Sequence, residues 1–469
     1  MRAILTLPDD GSREFGAHVA GLAMHLRAAQ AGGLSAGAVS DGSVSGQAVL
    51  GGADFGVTSP ENAGLFPAVE VLEGPRSGEF VLEFPDDAPA GTAAIVRTSG
   101  STGMPKRTSL PAASLAASAA STREQLGGDG HWLLALPLHY VAGLAVVSRA
   151  LLGDTRLATL DLREHFTASS FAVATALLAE AAEEDAELSG VARPLYTSLV
   201  PTQLTRLLKD RVGTEALRAY TAVLVGGGRT PDATRAAAAE AGINVVLTYG
   251  SAETCGGCVY DGAALPGVRV RAVDGRLQLG GPMVAGGYLG DPERTDEHFH
   301  RDADGTRWYV TDDLGAVAGD GTVSVSGRID DVINTGGVKV SAQEVQRVIE
   351  ALPWVQEALV VGVPDPEWGQ AVALGLSVGH GASDGASAPG AAPRTSTPSD
   401  AASSSEGTFP EAPPGDLAPD RLSQLRDVVR LTHGGPAVPR IVRLYPALPR
   451  LGNGKPDRQT VIRDCANPA

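Results

Sequence analysis

Between Trp132 and Asp330 the chain repeats one alternation, in which a short apolar run gives way to a loop and then to a helix-like stretch. The runs WLLALPL, YTSLVP, TAVLVGGG and INVVLTYG read as strands, and SSFAVATALLAEAAEEDAEL reads as a helix. Strand-then-helix order predicts an α/β fold with parallel strands, because a parallel neighbour is reached only through a crossover. Ligands in such folds gather at loops beyond the C-terminal ends of strands. The loops with the most distinctive composition here all follow such runs.

After Arg328 the texture changes. SAQEVQRVIEAL, at 341–352, is a helix by pattern: Ser341 and Glu344 form a capping box, and Val345, Val348, Ile349 and Leu352 share one face. The run VQEALVVGV follows, as in a small α+β domain. Residues 380–420 are Pro, Ser, Ala, Gly and Thr with few large apolar side chains, a composition that cannot offset its ordering entropy. The expected architecture is therefore α/β. A large N-terminal domain, residues 1–329, has mostly parallel sheets flanked by helices. A small α+β C-terminal domain, residues 330–469, carries a disordered insertion at about 380–420. Upstream, a helix is expected at Phe15–Ala29 and a short strand at Ala93–Arg97.

Bulk properties exclude several classes. A chain of 469 residues suggests two or three domains. The net charge of −17 argues against nucleic acid, which needs clustered Lys and Arg, but allows small anionic substrates in a locally positive cleft. No apolar run is long enough to span a bilayer. The opening MRAILTLPDDGSREFG has an acidic pair where a signal peptide needs its apolar stretch, so the expected compartment is the cytoplasm. A homodimer is compatible with the sequence. Cys255 and Cys258 form a C-x-x-C with no second half to complete a zinc set, and small buried thiols are the plainer reading.

Five loops carry chemistry. The first is TSGSTGMPK, Thr98–Lys106, directly after a strand. Gly100 and Gly103 let the backbone approach an anion, Ser99, Ser101 and Thr102 supply hydroxyls, and Lys106 supplies charge, a set able to cradle phosphates. It is neither a Walker A loop nor a nucleophile elbow, and on its own such a loop could be a linker. The second is YGSAETCG at Tyr249–Gly256, where Glu253 could hold Mg²⁺ between phosphates and Tyr249 could stack on a purine. The third, YVTDDL at Tyr309–Leu314, could bind ribose hydroxyls, serve acid–base chemistry, or be a surface turn. The fourth is GRIDDVINTGGVKVSAQEV at 327–345, and the fifth LPRLGNGKPDR at 448–458, which sets Lys455 in a glycine-rich turn.

These five in this order resemble the acyl-adenylate-forming superfamily of acyl- and aryl-CoA synthetases, luciferases and peptide-synthetase adenylation domains. The resemblance covers roughly residues 93–458 and implies a role for each matching position. Thr98, Ser99, Gly100, Ser101, Thr102, Gly103 and Lys106 match the phosphate loop. Tyr249, with Gly250 and Ser251, matches the adenine site, and Glu253 the Mg²⁺ ligand. Gly226, Gly227 and Gly228 resemble the glycines beside the adenine and acyl pocket. Asp313 and Arg328 match the ribose contacts, and Asp330 the hinge of a mobile C-terminal domain. Gly336 and Gly337 match the coenzyme A tunnel, and Lys455 the lysine of adenylation. The implied substrates are ATP, CoA and a carboxylic acid, with Mg²⁺ as cofactor.

Three positions depart from that pattern. The usual threonine before the glutamate is Ala252, with Ser251 as a stand-in. The usual T-G-D is Thr311-Asp312-Asp313. An aromatic–His pair near the acyl pocket is reversed, as His139-Tyr140. The phosphate loop starts early, near residue 98, and the stretches ALPLHYVAGLAVVSRALL, SLVPTQLTRLL and YGSAETCGGCVYDG are most similar to the o-succinylbenzoate–CoA ligases of menaquinone biosynthesis. That resemblance implies a diacid whose second carboxylate needs a partner, with Arg229, His139 and Tyr140 as candidates. A carrier-protein-loading enzyme shares every motif. A silent nucleotide-binding regulator and a C-x-x-C redox module are the readings from other classes.

Overall fold

The structure, a computed structural model, describes residues 87–98, 106–160, 166–378, 417–450 and 456–466, together with the backbone of short strands between residues 5 and 83. The expected helix at Phe15–Ala29, loop residues Ser99–Gly103 and Lys455 lie outside the described residues. The chain divides into two compact units, Met1–Ser326 and Gly327–Ala469. Arg328 thus belongs to the second unit.

In the first unit the alternation becomes a sheet. The strands Leu157–Thr159, His131–Leu134, Leu195–Leu199, Ala222–Val225 and Val245–Ser251 lie side by side in that order, all parallel. Side chains alternate faces along a strand, and the core divides accordingly. Trp132, Leu134, Ala222 and Leu224 pack on one face with the helices Ala112–Leu126 and Val141–Leu152. Leu133, Ala135, Val223 and Val225 pack on the other with Phe171, Leu178, Leu204 and Leu207. Burial on both faces is why these strands read as unbroken apolar runs. The expected helix runs Ala168–Ser189, its first turn capped by Thr167, whose hydroxyl accepts from Ser170 N at 3.1 Å.

Parallel pairing is confined largely to that sheet. Past Ser251 the chain turns back as Gly256–Tyr260, antiparallel to its neighbour. Arg269–Val273 and Arg276–Gly280 form a hairpin over Asp274 and Gly275, both at positive φ, and join Arg307–Val317 in an antiparallel sheet. Thr92–Thr98 and Lys106–Pro111 form another hairpin in a mixed sheet with Val69–Glu73 and Gly287–Tyr288. Connections this short cannot make a parallel crossover.

The second unit has its own sheet, in the order Val338–Ser341, Val332–Thr335, Gly369–Val378, Val355–Asp365, with Ile441–Leu444 parallel to Gly369–Val378. Period-two burial recurs. Ala358, Val360, Leu374 and Leu376 pack with the helices Ala342–Glu350 and Pro419–His433, whereas Leu359, Val361, Val363 and Ala373 face Val461 and Cys465 of the helix Arg458–Ala466. Residues 379–416 lie outside the described residues. Residues 419 and 420, at the end of the expected disordered insertion, instead open the helix Pro419–His433, where proline at the first position is suited to helix entry.

Ser341 Oγ accepts from Glu344 N at 3.3 Å at the start of Ala342–Glu350. Removing it orphans a helix donor, so Ser341→Ala should cost about 1 kcal/mol. Denaturant unfolding that tracks the second unit should show a lower midpoint, with Ser341→Thr close to wild type.

Candidate active site

The C-terminal ends of adjacent parallel strands meet at one edge of the large sheet, and the loops leaving them are forced together. Gly226–Gly228 leave Ala222–Val225, while the neighbouring strand Val245–Ser251 carries Tyr249 and Gly250 at its end. Gly226 N donates to Leu199 O at 3.2 Å, and a side chain at Gly226 would strike the Thr248 hydroxyl. Gly227 takes φ +78°, which a β-carbon disfavours. A β-carbon at Gly250 would run into the Gly256 carbonyl. Gly226 and Gly250 are therefore demanded by close approach of a neighbour, and Gly227 by its backbone conformation. The turn Ala252–Thr254 then places Glu253 inside, 5% exposed.

Tyr249 donates its hydroxyl to Asp313 Oδ2 at 2.7 Å. Burial first, and the Asp313 charge second, push the Tyr249 phenol far above its usual range, so it stays a neutral donor. Asp313 is itself aimed: its N–H donates to Thr311 Oγ1 at 3.0 Å, and Thr311 Oγ1 donates to Leu277 O at 2.8 Å. The extra carboxylate, Asp312, pairs with Arg276 at 3.0 Å, and Arg276 also donates to the Thr311 carbonyl. Adjacent strand residues point to opposite faces. Asp312 is thereby committed to Arg276 while Asp313 meets Tyr249.

The loop ends at Thr98 and Lys106 pair directly, closing a hairpin around residues 99–105. Next to this strand, Tyr288 pairs with Thr108. Ala285 N donates to Glu253 O at 2.9 Å, and the Tyr288 hydroxyl donates to Glu253 Oε1 at 2.9 Å. Lys106 Nζ lies 5.1 Å from the centre of the Tyr288 ring. One tyrosine thus touches both the phosphate-loop lysine and the buried glutamate. Sequence reading missed Tyr288. The one local signal is a tyrosine behind two glycines in VAGGYLG, and its partner Glu253 stands 35 residues away. At Ala252 the missing threonine leaves no hydroxyl, but Ser251 Oγ is buried with no hydrogen-bond partner among the described residues.

His139 and Tyr140 follow His131–Leu134 and begin the helix Val141–Leu152, their rings 4.1 Å apart. Gln203 ties this segment to the next strand end, donating from Nε2 to Ala135 O at 2.9 Å. Arg229 pairs with the exposed Asp232 at 3.3 Å, a surface contact of small worth that a stronger partner could displace.

In the second unit, Arg328 pairs with Asp330 at 3.0 Å, so the expected ribose contact and the expected hinge residue hold each other. Asp331 pairs with Arg458 at 3.0 Å, and Arg450 bridges to Pro456. Gly336 and Gly337, at φ +59° and +82°, form the two-residue turn between Val332–Thr335 and Val338–Ser341. A β-carbon at Gly336 would meet the Trp368 ring.

A Gly/Ser/Thr hairpin loop, a buried glutamate that shares Tyr288 with its closing lysine, and a tyrosine–aspartate hydrogen bond between strands of two different sheets define an adenylate-forming, ATP-using enzyme. Residues 58–289 match the AMP-binding enzyme model, and the chain belongs to the AMP-binding enzyme family. It is 37% identical over 380 residues to a Mycobacterium tuberculosis (strain H37Rv) protein named "Probable 2-succinylbenzoate--CoA ligase", covering 80% of this chain and 85% of that one. Among solved structures, ATP-bound MatB from Rhodopseudomonas palustris matches with a TM-score of 0.62 at 24% identity, over 82% of this chain and 70% of that chain. The o-succinylbenzoate CoA synthetase of Bacillus subtilis, in complex with OSB-AMP, matches with a TM-score of 0.57 at 23% identity, over 81% and 70%. Both share the fold. Among the described residues no helix is long and apolar enough to cross a membrane.

The C-x-x-C thiols are free and fully buried. Burial pushes Cys258 up to about 12 and Cys255 higher still, which leaves almost no thiolate near neutral pH. A thiol reagent at pH 8 should therefore leave Cys255 and Cys258 untouched until the protein unfolds. The Cys255→Ala/Cys258→Ala double variant should keep ligase activity within about three-fold of wild type, since thiols that cannot ionise do no redox chemistry.

Proposed function

We propose that this enzyme is a 2-succinylbenzoate–CoA ligase, acting in the cytoplasm on 2-succinylbenzoate, ATP and CoA. The observation that carries the substrate is the match over 85% of the length of the Mycobacterium tuberculosis relative. The geometry supports the reaction class. The carboxylate of the succinyl arm attacks the α-phosphorus of ATP, pyrophosphate leaves, and the acyl-adenylate forms. The CoA thiol then attacks the acyl carbonyl and AMP leaves.

The protein's part is positioning and charge stabilisation. Asp313, steadied by Thr311 and Tyr249, accepts hydrogen bonds from the ribose hydroxyls, and the Tyr249 ring lies against the adenine. Residues Thr98–Gly103 and Lys106 hold the β- and γ-phosphates. Ser251 supplies the hydroxyl contact that Ala252 lacks. Glu253 fits a magnesium site of the kind completed by phosphates and water rather than by protein. It is a single buried carboxylate beside the phosphate-loop lysine, and among the described residues no cluster of three metal-ligating side chains exists. Bound there with ATP, Mg²⁺ neutralises charge on the phosphates.

Lys455 places positive charge between the attacking carboxylate and the α-phosphate in the first step. The second unit then turns about Asp330, withdrawing Lys455 and presenting the Gly336–Gly337 turn for the thioester step. His139, Tyr140 and Arg229 hold the ring carboxylate, which cannot be buried without a donor.

Two measurements test this reading. AMP release that depends on both ATP and CoA, compared across carboxylic acids, should favour 2-succinylbenzoate over benzoate or short fatty acids by roughly a hundred-fold or more in kcat/KM, since analogues leave the carboxylate donors unpaired. Equal rates with benzoate would end the substrate assignment. Separately, Lys455→Ala should slow adenylation by roughly two to three orders of magnitude while thioester formation from supplied acyl-adenylate is kept. Equal loss in both steps would remove Lys455 from its role.

A further inference from the structure

Tyr288 stands between the two charges that the proposed mechanism uses on the phosphates, and no sequence motif points to it. Its hydroxyl donates to Glu253 Oε1 at 2.9 Å, and its ring lies 5.1 Å beneath Lys106 Nζ. The residue is itself held firmly. It is 5% exposed, and its strand Gly287–Tyr288 pairs with Thr108 and Ser109. Tyr288 N donates to Thr295 Oγ1 at 2.9 Å. His298 and Phe299 meet its ring edge-on, with centroids at 5.9 and 5.4 Å.

We propose that Tyr288 is the positioning residue that orients Glu253 for Mg²⁺ and Lys106 for the phosphates. The inference rests on the reading of Glu253 as the Mg²⁺ ligand. The physical logic has two parts. A buried carboxylate needs hydrogen-bond donors to remain charged. One fixed donor on Oε1 satisfies part of that need and leaves Oε2 as the oxygen presented to the metal. The lysine would otherwise sample many rotamers or collapse onto Glu253. The negative face of the tyrosine ring gives the ammonium a resting place close to the carboxylate but apart from it. Both charges are thus set before nucleotide arrives, which lowers the ordering cost of binding.

The two halves separate by substitution. Tyr288→Phe keeps the ring under Lys106 and removes the hydrogen bond to Glu253. Tyr288→Leu removes both. ATP binding to the intact enzyme, measured by calorimetry without acid or CoA, reads them directly, with and without Mg²⁺. In Tyr288→Phe, Mg²⁺-free ATP affinity should match wild type, while the enhancement by Mg²⁺ shrinks roughly ten-fold, the scale of losing a hydrogen bond to a charged group. The Mg²⁺ concentration for half-maximal adenylation should rise in parallel, with kcat at saturating Mg²⁺ largely kept. Tyr288→Leu should lose the Mg²⁺ enhancement and also weaken Mg²⁺-free ATP binding.

Glu253→Gln serves as the control that separates the two levels of inference. If Glu253→Gln retains the full Mg²⁺ enhancement, the metal reading of Glu253 fails and this proposal falls with it. If Glu253→Gln loses the enhancement but Tyr288→Phe keeps it, the metal reading stands and the role of Tyr288 is overturned. A proportional fall of affinity with and without Mg²⁺ in Tyr288→Phe, tracking a lower melting temperature, would make Tyr288 a packing residue only and likewise overturn the proposal.

Discussion

Giving the buried Glu253 carboxylate its hydrogen-bond partners is the constraint around which this part of the first unit is arranged. The residue is 5% exposed, and a polar group there is costly without a partner. Tyr288 supplies a donor, Lys106 supplies a nearby cation, and the turn Ala252–Thr254 is anchored by the bond from Ala285 N to Glu253 O. These partners come from three strands in two sheets. The parallel sheet delivers the glutamate, the hairpin Thr92–Thr98/Lys106–Pro111 delivers the lysine, and Gly287–Tyr288 on its flank delivers the tyrosine.

The same logic accounts for the glycines. Gly226 and Gly250 sit where backbone presses against a neighbour, at Thr248 and at the Gly256 carbonyl. Each allows the loops beyond adjacent parallel strands to lie closer than side chains would permit. A nucleotide needs several donors and acceptors within its own length. Loops packed this tightly provide them without long, mobile connections.

One departure from the family pattern, Asp312, finds a partner of its own. Asp312 is taken up by Arg276, and this leaves Asp313 to Tyr249 without a competing charge. Ala252 removes a hydroxyl next to a serine whose Oγ is buried. Arg328 and Asp330 pair in the second unit, and Arg458, which follows position 455, pairs with Asp331.

The amino-acid sequence by itself determined the α/β class, the strands around WLLALPL, TAVLVGGG and INVVLTYG, and the helices at 168–189 and 342–350. These are legible because they are local. Apolar runs, period-3.6 stripes, caps and glycine-rich turns depend on residues within a few positions of one another. Only the tertiary structure decided that Tyr288 would meet Glu253 and Lys106, that Asp312 would be neutralised by Arg276, and that antiparallel hairpins would flank the parallel sheet. The side-chain meetings join residues 35, 36 or more positions apart. Which tyrosine reaches which carboxylate is set by strand order and register, and neither is written in any single stretch of chain.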